Sequence, residues 1–547
     1  MGTKRIGATR LFFPILAVTA AVLLASAGRG QSPDPLAGEA KTDFRSSVRE
    51  FQAELGWIKA TLSRNRVTFP GRTGTISGFA AGSAYPQVWL RDAATILPAS
   101  RLFDEAPFLS SWLIEHLAFQ KKDGALEDWI DGRGKSDKNT VETDQETSAV
   151  RAAAEIVRVL GPEWLRTEVR GETVLSRLER ALRWVVDNRF DREHGLVKGA
   201  HTIDWGDVDM NWPDQRAIYA DSGTHWTCDI YDQAQFYGAA LALAGMLGGA
   251  GSTARAADWR ERAAAVKRAA DRWLWQEGRR FYRVHIHLDA LKHAFDEDAM
   301  FPMGGNAEAV LAGLASDGQC AGIFAAALAR QREYKISTIS GSLLPPYPKG
   351  TFKHPMVDDP YEYQNGGQWD WFGAKLVKAM FDRGSARTAR AKLAEIAAKN
   401  AANKGLHEWD TPDGRGRGSA FYSGSAGSLA LALVEGYFGV VLDRGTLRLE
   451  PKLAEDRAVV SIRLPAAGVF AAYEHTWDAE RKLLRFRYNS DIKKPGTIRL
   501  LLPAALSGKT PEVRRDGKRW ESRIEKRGGD SYLVVETDFL NHVLEVH

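Results

Sequence analysis

The feature that most constrains the fold of this chain is a long succession of amphipathic segments between about residues 43 and 440. Apolar residues recur there at helical spacing, in stretches separated by loops rich in Gly, Pro, Asn and Asp. No fixed-length repeat connects the stretches, as it would in an open α-solenoid. We therefore predict a mainly α protein whose helices pair into hairpins and close into an (α/α)6 toroid, with the solenoid as the competing arrangement. The predicted helices lie near residues 44–64, 91–103, 107–121, 144–160, 173–189, 229–248, 253–275, 305–315, 318–331, 368–383, 385–400 and 425–438.

The pattern changes after residue 440, where short segments alternate apolar and polar residues. Such alternation fits a sheet with one buried face, and a helix could not bury it. We predict an antiparallel β-sandwich over residues 441–547, which follows a toroid domain over residues 28–440. The predicted strands cover residues 446–450, 458–464, 483–488, 497–502, 531–537 and 542–547.

The N-terminus carries the pattern of an export signal. Lys4, Arg5 and Arg10 precede an apolar run over residues 11–25, and Ala25-Ser26-Ala27 has the small-x-small pattern of a cleavage site. We therefore expect a signal peptide over residues 1–27 and a periplasmic or extracellular mature protein. A retained N-terminal anchor is the alternative.

Charge and cysteine content limit the partners and the disulfides that we expect for this chain. The formal charge of +5 is spread along the chain, so we expect no nucleic-acid partner. We also expect no stable membrane partner, because the apolar run over residues 11–25 is short for a membrane span. Cys228 and Cys320 are the two cysteines, which permit one disulfide in an oxidising compartment without implying it.

Residues 201–237 combine two residue types that seldom occur together in such density. A core would not bury so many carboxylates, because a buried charge is costly unless it is paired, and a solvated face has no use for so many rings. A sugar pocket uses both, since rings contact the C–H faces of a pyranose and carboxylates bind its hydroxyls. The alternative is a helix N-terminus rich in capping Asp. The stretch holds Asp204, Asp207, Asp209, Asp214, Asp221, Asp229 and Asp232 with Trp205, Trp212, Trp226, Tyr219, Tyr231 and Tyr237.

Four further loops, at residues 85–93, 126–134, 361–373 and 407–427, also combine aromatic residues with carboxylates and Gly. Loops at one rim of a rigid scaffold concentrate function, so we predict one cleft for an oligosaccharide or polysaccharide. Arg91 and Asp92 could instead pair with each other at a helix start. The candidate sugar-binding residues are Trp89, Arg91, Asp92, Trp205, Trp226, Gln364, Asn365, Trp369, Trp371 and Trp409.

The carboxylates of these loops suggest glycosidic-bond cleavage, which needs an acid for the leaving oxygen and a carboxylate that attacks or activates water. The first candidate is Asp207, with Asp204 as a second possibility, because Trp205-Gly206-Asp207 sets an acid beside a ring. The second candidate is Glu408, which lies between His407 and Trp409. The competing interpretation is turn or helix capping for either Asp, and a surface position for Glu408.

Other kinds of chemistry lack support in the sequence. His225, His285, His287 and His407 do not have metal-motif spacing, and the two histidines at 285 and 287 point one way on a strand. No phosphate-binding loop or nucleophile elbow is present. We therefore predict no metal site and no cofactor.

The order of four motifs resembles that of the six-hairpin toroid glycosidases, the group of trehalases, processing α-glucosidases and amylo-1,6-glucosidases. The motifs are Trp89-Leu90-Arg91-Asp92, Trp205-Gly206-Asp207, residues 363–371, and His407-Glu408-Trp409-Asp410 with the Gly- and Ser-rich run to residue 427. The resemblance implies an inverting glycoside hydrolase that removes sugars, α-glucosyl by family likeness, from chain ends. It also implies that Asp207 is the general acid and Glu408 the general base, with carboxyls about 6.5–9.5 Å apart.

Three alternatives use the same residues differently. A polysaccharide lyase also adopts a toroid, but its site would need a Tyr or His base with cations, and these loops carry few cations besides Arg91 and Arg133. A glycoside phosphorylase would bring phosphate against Glu408. A non-catalytic glycan-binding protein would leave its ligand intact.

Overall fold

The helices of the structure lie close to the segments that apolar spacing predicts as helical. The computed structural model describes Leu36 and residues 41–137, 144–211 and 220–547. Within these ranges the α-helices are α1 (Arg49–Asn65), α2 (Leu90–Ser100), α3 (Ala106–Phe119), α4 (Asp144–Leu160), α5 (Val174–Asn188), α6 (Ile230–Gly249), α7 (Thr253–Trp273), α8 (Met303–Ala312), α9 (Asp317–Glu333), α10 (Pro355–Asp358), α11 (Asp370–Asp382), α12 (Ala386–Asn403) and α13 (Ser423–Ala430), which continues as a π-helix over Leu431–Tyr437.

Successive contacts close part of these helices into a ring. Helix α2 packs against α4, α4 against α6, α6 against α8, α8 against α11, and α11 against α13, which returns to α2. Outside the ring, α5 packs on α4, α7 on α6, α12 on α11, and α1 on α13. All of α13 is buried, whereas α7 buries one stripe that includes Trp259 and Val266, as expected for an outer amphipathic helix. The arrangement is consistent with the predicted toroid.

The strands of the C-terminal part of the chain form two sheets, and the first of these also contains the N-terminal strand Asp43–Ser46. The first orders the strands Asp43–Ser46, Ala458–Leu464, Val469–Asp478, Leu483–Ser490, His542–Val546, Val513–Arg515 and Lys518–Arg519. The second orders the strands Val440–Leu442, Leu447–Leu449, Gly496–Leu501, Asp530–Thr537 and Arg523–Arg527. The hydroxyls of Tyr488 and Thr537 form a buried 2.9 Å hydrogen bond between the two sheets.

Smaller strand pairs lie in the loops between the helices. Two three-stranded groups are Val88–Trp89 with Trp129–Ile130 and Ser136–Asp137, and Gly199–Ala200 with Trp226–Asp229 and His285–His287. Hairpins join Arg66–Gly71 to Gly74–Phe79, and His407–Asp410 to Gly416–Ala420. The remaining pairs are Glu168–Val169 with Glu172–Thr173, Phe190–Asp191 with Leu196–Val197, Trp275–Gln276 with Phe281–Tyr282, and Phe301–Pro302 with Leu343–Leu344.

The predicted helix near residues 44–64 is wrong at its start. Residues Asp43–Ser46 form a strand that pairs antiparallel with Ala458–Leu464, and the helix begins only at Arg49. The pairing partner lies more than 400 positions away, and Phe44 is buried against Phe438, which local periodicity could not reveal. Each other predicted helix matches an observed one. The other strands of the two C-terminal sheets that were not predicted are Val440–Leu442, Val469–Asp478, Val513–Arg515, Lys518–Arg519 and Arg523–Arg527.

Some predictions fall on residues that the structure does not describe. The signal peptide over residues 1–27 lies outside the described ranges, as do Trp212, Asp214 and Tyr219. The domain boundary at residue 440 stays a prediction. Among the described helices, none has the length and apolar character needed to cross a membrane. Cys228 and Cys320 are buried free thiols.

Candidate active site

One pocket gathers side chains from four of the five predicted loops. The fifth loop supports the pocket from behind, because its strand Trp129–Ile130 pairs with Val88–Trp89. The lining residues are Ala81, Tyr85, Trp89, Arg91, Asp92, Trp205, Asp207, Tyr363, Gln364, Trp369, Glu408 and Tyr422.

Glu408 enters the pocket from a bulged hairpin. The register of the hairpin shifts between His407 and Trp409, because Gly418 and Ser419 of the partner strand lie opposite the single residue Glu408. Oε1 of Glu408 accepts a 2.7 Å hydrogen bond from the Tyr85 hydroxyl, and Oε2 accepts a 2.8 Å bond from the amide of Ser419. Burial raises the pKa of Glu408, and these two hydrogen bonds oppose the rise.

Asp207 lines the pocket near Glu408. Its Oδ1 accepts a 3.1 Å hydrogen bond from Nε2 of Gln364, and its Oδ2 lies 3.9 Å from Nη2 of Arg91. The side chain is 27% exposed, so solvent and ligand can reach it. The glycine at position 206 lets Gln364 lie close to the backbone beside Asp207, because a Cβ at Gly206 would lie 2.6 Å from Oε1 of Gln364. The charge of Asp207 contributes to the raised pKa of Glu408.

Asp204 points away from the pocket. Its carboxylate accepts hydrogen bonds of 2.9 and 3.2 Å from the amide of Gly305, in the first turn of α8. Burial raises the pKa of Asp204 to about 7, although the amides of Gly305 and Gly304 act in the opposite direction. The side chain therefore caps a helix that has no capping side chain of its own.

Arg91 and Asp92, at the start of α2, connect the pocket to the ring. Arg91 donates 3.1 and 3.3 Å hydrogen bonds to the carbonyl of Trp205 and to Asp144. Oδ1 of Asp92 accepts a 2.9 Å hydrogen bond from the hydroxyl of Tyr422. Burial raises the pKa of Asp92 to about 6, while Arg91 and Tyr422 oppose the rise. Arg91 and Asp92 therefore have separate partners, and both remain part of the pocket wall.

Aromatic rings form much of the remaining wall. The rings of Trp205 and Trp369 meet edge to face at 4.7 Å, and those of Tyr363 and Trp369 at 5.2 Å. The indole of Trp369 donates a 2.9 Å hydrogen bond to the carbonyl of Tyr363. These contacts fix the rings before any ligand binds, which suits a rigid apolar surface for a sugar.

Four residues predicted to bind sugar do not line the pocket. Trp371 is buried and stacks on Phe372 behind the wall. Asn365 is buried and exchanges hydrogen bonds with the backbone of Tyr347. Trp409 is buried, and Trp226 contacts Arg189 and Lys198 through its ring face. These side chains support the loops, and the prediction that they touch a ligand has no geometric basis in this pocket.

Three lining tyrosines were not selected from the sequence. Tyr85 and Tyr363 lie inside two of the predicted loops, and Tyr422 lies at the start of α13. Burial and the charge of Glu408 raise the pKa of Tyr85, so its hydroxyl stays a hydrogen-bond donor. The signal that could have identified these residues is their position beside the carboxylates, since a buried carboxylate needs donors.

A second group of polar residues lies outside the pocket. The side chains of His201, His287, His293 and Glu297 approach one another closely enough to hold a metal ion. This group joins distant parts of the sequence and was not predicted.

A family model describes the part of the chain that carries the pocket. Residues 85–425, more than half of the 547 residues, match the model of the mannosylglycerate hydrolase MGH1-like glycoside hydrolase domain. That range contains every lining residue except Ala81. A comparison with curated proteins gives no match.

Solved structures share the fold at low sequence identity. A GH63 mannosylglycerate hydrolase from Thermus thermophilus, in complex with Tris and D-glycerate, has a TM-score of 0.52 and 18% identity, covering 70% of this chain and 100% of that chain. An α-L-rhamnosidase from Dictyoglumus thermophilum has a TM-score of 0.62 and 12% identity, covering 93% and 51%. A GH78 rhamnosidase of Bacillus sp. GL1 has a TM-score of 0.59 and 14% identity, covering 83% and 42%. This chain thus spans about half the length of the two rhamnosidases. Because the family model matches the greater part of the chain, this protein belongs to the MGH1-like glycoside hydrolases and is a glycosidase.

Proposed function

We propose that the protein is an inverting glycoside hydrolase that removes a terminal sugar, with Asp207 as general acid and Glu408 as general base. The observation that supports these roles is that both carboxyls line one small pocket, each with its own hydrogen-bond donors. The proposal includes an (α/α)6 toroid that carries the pocket and a C-terminal β-sandwich.

In this mechanism Glu408 takes a proton from a water molecule as the water attacks the anomeric carbon. Asp207 gives its proton to the departing glycosidic oxygen, so the bond to the leaving group breaks as the bond to water forms. Tyr85 and Ser419 hold the Glu408 carboxylate, and Gln364 orients Asp207. The raised pKa of Glu408 makes it a stronger base once it is ionised.

The substrate is proposed to end in a neutral hexose, α-glucosyl by the resemblance of the motifs. The pocket sets three carboxyls, Asp92, Asp207 and Glu408, against Arg91, a charge balance that suits an uncharged sugar. The family description and one similar structure name mannosylglycerate hydrolases, so α-mannosides and hexosyl glycerates belong in the same screen as α-glucosides.

The test compares Asp207→Asn and Glu408→Gln on two kinds of substrate. On ordinary glycosides we expect each variant to lose about two to three orders of magnitude in kcat. On the matching α-glycosyl fluoride, whose leaving group needs no acid, Asp207→Asn should recover most of its rate while Glu408→Gln should not. Asp187→Asn and Glu480→Gln, which change exposed carboxylates, are the matched controls.

The anomer released in the first turnovers, read by proton NMR, tests inversion directly. Release of the β-anomer from an α-glycoside supports the mechanism. Near-normal turnover by Glu408→Gln would remove the proposed base. An unsaturated product that absorbs in the ultraviolet would indicate a lyase, and a dependence on phosphate would indicate a phosphorylase.

A further inference from the structure

Four histidines and one glutamate meet beside the loop that carries Asp204 and Asp207. His285 and His287 lie on one face of the strand His285–His287. His201 directly follows the strand Gly199–Ala200 of the same sheet, and the strand Trp226–Asp229 lies between these two strands. His293 and Glu297 lie in the turn that follows the strand His285–His287. The side chain of His201 is fully buried, and those of His293, Glu297 and His287 are 10, 14 and 16% exposed.

The Nε2 atoms of these histidines converge on one carboxylate. Those of His285 and His287 lie 3.0 and 2.9 Å from Oε1 and Oε2 of Glu297. Those of His201 and His293 lie 3.7 and 3.5 Å from Oε1. The Tyr347 hydroxyl also donates a 2.5 Å hydrogen bond to Oε1. The Glu297 carboxylate therefore has four imidazole nitrogen atoms around it, whereas an ordinary ion pair has one cationic partner.

The contact between His201 and His293 is the most informative. Their Nε2 atoms lie 3.0 Å apart, so only one of the two can carry a proton in that contact. At least one Nε2 lone pair then points into the cluster. That lone pair accepts the proton of the other ring and lies beside the Glu297 carboxylate, and a cation binds the two imidazoles and the carboxylate once this proton is released.

We propose that His201, His287, His293 and Glu297 bind one divalent transition-metal ion, with zinc as the best fit. One ligand atom from each of the four residues lies within 4.8 Å of the others, and imidazole with carboxylate is a ligand set typical of zinc. Bonds of about 2.0–2.2 Å in a tetrahedron would draw these atoms closer together, which side-chain rotation can supply. His285 and Tyr347 hold the glutamate in place as outer partners.

The ion has a structural role in this arrangement, because four protein ligands fill a tetrahedral zinc ion. It ties the start of the loop at His201 to the turn at residues 293–297. Tyr347 extends the connection, since its amide donates a 2.8 Å hydrogen bond to Asn365, beside the Gln364 that contacts Asp207. The inference does not depend on the proposed hydrolysis, because metal content and stability are measured without substrate.

The test uses the purified full chain, stripped with a chelator, incubated with Zn²⁺ alone and desalted. We expect about one zinc ion per chain in the wild type, and a Tm that rises on addition of zinc. His287→Ala and Glu297→Gln should bind zinc at least about a hundredfold more weakly. His194→Ala, which removes a partly exposed histidine paired with Asp191, should bind zinc as the wild type does.

A second measurement applies if a variant does not fold. Co²⁺ added to the stripped wild type should give the intense visible absorption of a tetrahedral site, and zinc should displace it stoichiometrically. Substoichiometric zinc in the wild type, an octahedral cobalt spectrum, or equal zinc affinity in Glu297→Gln and wild type would each overturn the proposal.

Discussion

The hydroxyl of Tyr85 donates a 2.7 Å hydrogen bond to Oε1 of Glu408, across 323 positions of sequence. The bond stabilises the ionised carboxylate and so opposes the rise in the pKa of Glu408 that burial causes. A general base must be ionised to act, so this pKa sets the acidic limb of the rate profile.

We predict that Tyr85→Phe moves the acidic limb of kcat/KM to higher pH by about one to two units. The reason is that a hydrogen bond to a charged group contributes about 1.5–3 kcal/mol, and its loss raises the pKa of Glu408. The measurement is the pH dependence of kcat/KM on the best glycoside. Tyr334→Phe, a tyrosine outside the pocket, is the control, and an unshifted limb in Tyr85→Phe would contradict the assignment of the base.

Gly418 lies opposite Glu408 in the bulged hairpin, with a φ of +65°. A Cβ at this position would lie 2.6 Å from Oε2 of Glu408 and 2.8 Å from Cδ1 of Trp409. We predict that Gly418→Ala displaces the carboxylate and lowers kcat at least about tenfold, because catalytic geometry tolerates little misplacement.

A second glycine with a positive φ, Gly468, separates the effect of backbone strain from the effect of the clash with Glu408. Gly468 has a φ of +70°, and a Cβ there would meet no atom within 4 Å. Gly468→Ala should destabilise the fold by about 1 kcal/mol, as Gly418→Ala does through strain, yet keep full kcat. Equal kcat in the two variants would show that the contact between a side chain at position 418 and Glu408 does not affect catalysis.

The sequence predicted the pocket better than the roles of its individual residues. The loops around Asp207 and Glu408 could be found because carboxylates beside rings and glycines are rare in cores and on surfaces. Trp371 and Asn365 could not be separated from true lining residues, since residues two apart, such as Trp369 and Trp371, share a motif but face different environments. The spacing of residues does not predict the histidine cluster, because His201 and His293 lie 92 positions apart and meet only through the pairing of three strands.

Lys399 joins two buried carboxylates behind Glu408. Its ammonium lies 2.9 Å from Asp370 and also contacts Asp410, and all three side chains are nearly inaccessible. Burial raises the pKa of Asp410 to about 6, while the charge of Lys399 opposes the rise. The group therefore depends on the cation between its two acids.

We predict that Lys399→Met lowers the free energy of unfolding by about 3–5 kcal/mol, because it leaves two buried carboxylates with no cation between them. Adding Asp410→Asn to this variant should restore part of the loss. Urea denaturation measures both. Lys392→Met on the same helix breaks a partly exposed pair with Glu395, which also accepts a hydrogen bond from Gln331, and should cost about 1 kcal/mol or less. A loss in Lys399→Met no larger than this would show that solvent reaches the group.

Asp204 and Asp207 lie three positions apart, but we expect substitution of Asp204 to change stability and substitution of Asp207 to change activity. Asp204 is buried against the first turn of α8, and its pKa is raised from 3.8 to about 7. Between these values the folded state holds a proton that the unfolded state has released. The contribution of Asp204 to stability therefore falls as pH rises from about 4 to 7, in accordance with proton linkage.

We predict that Asp204→Asn keeps kcat within a few-fold of wild type, because an amide oxygen can still accept from Gly305 and the side chain does not line the pocket. The Tm of Asp204→Asn relative to wild type should be higher at pH 8 than at pH 5, since only the wild type must ionise a buried carboxyl. Asp187→Asn, which changes an exposed residue, should show no such dependence on pH. If Asp204→Asn instead lost activity as deeply as Asp207→Asn, while keeping its Tm at both pH values, Asp204 would be the acid and the helix cap would be secondary.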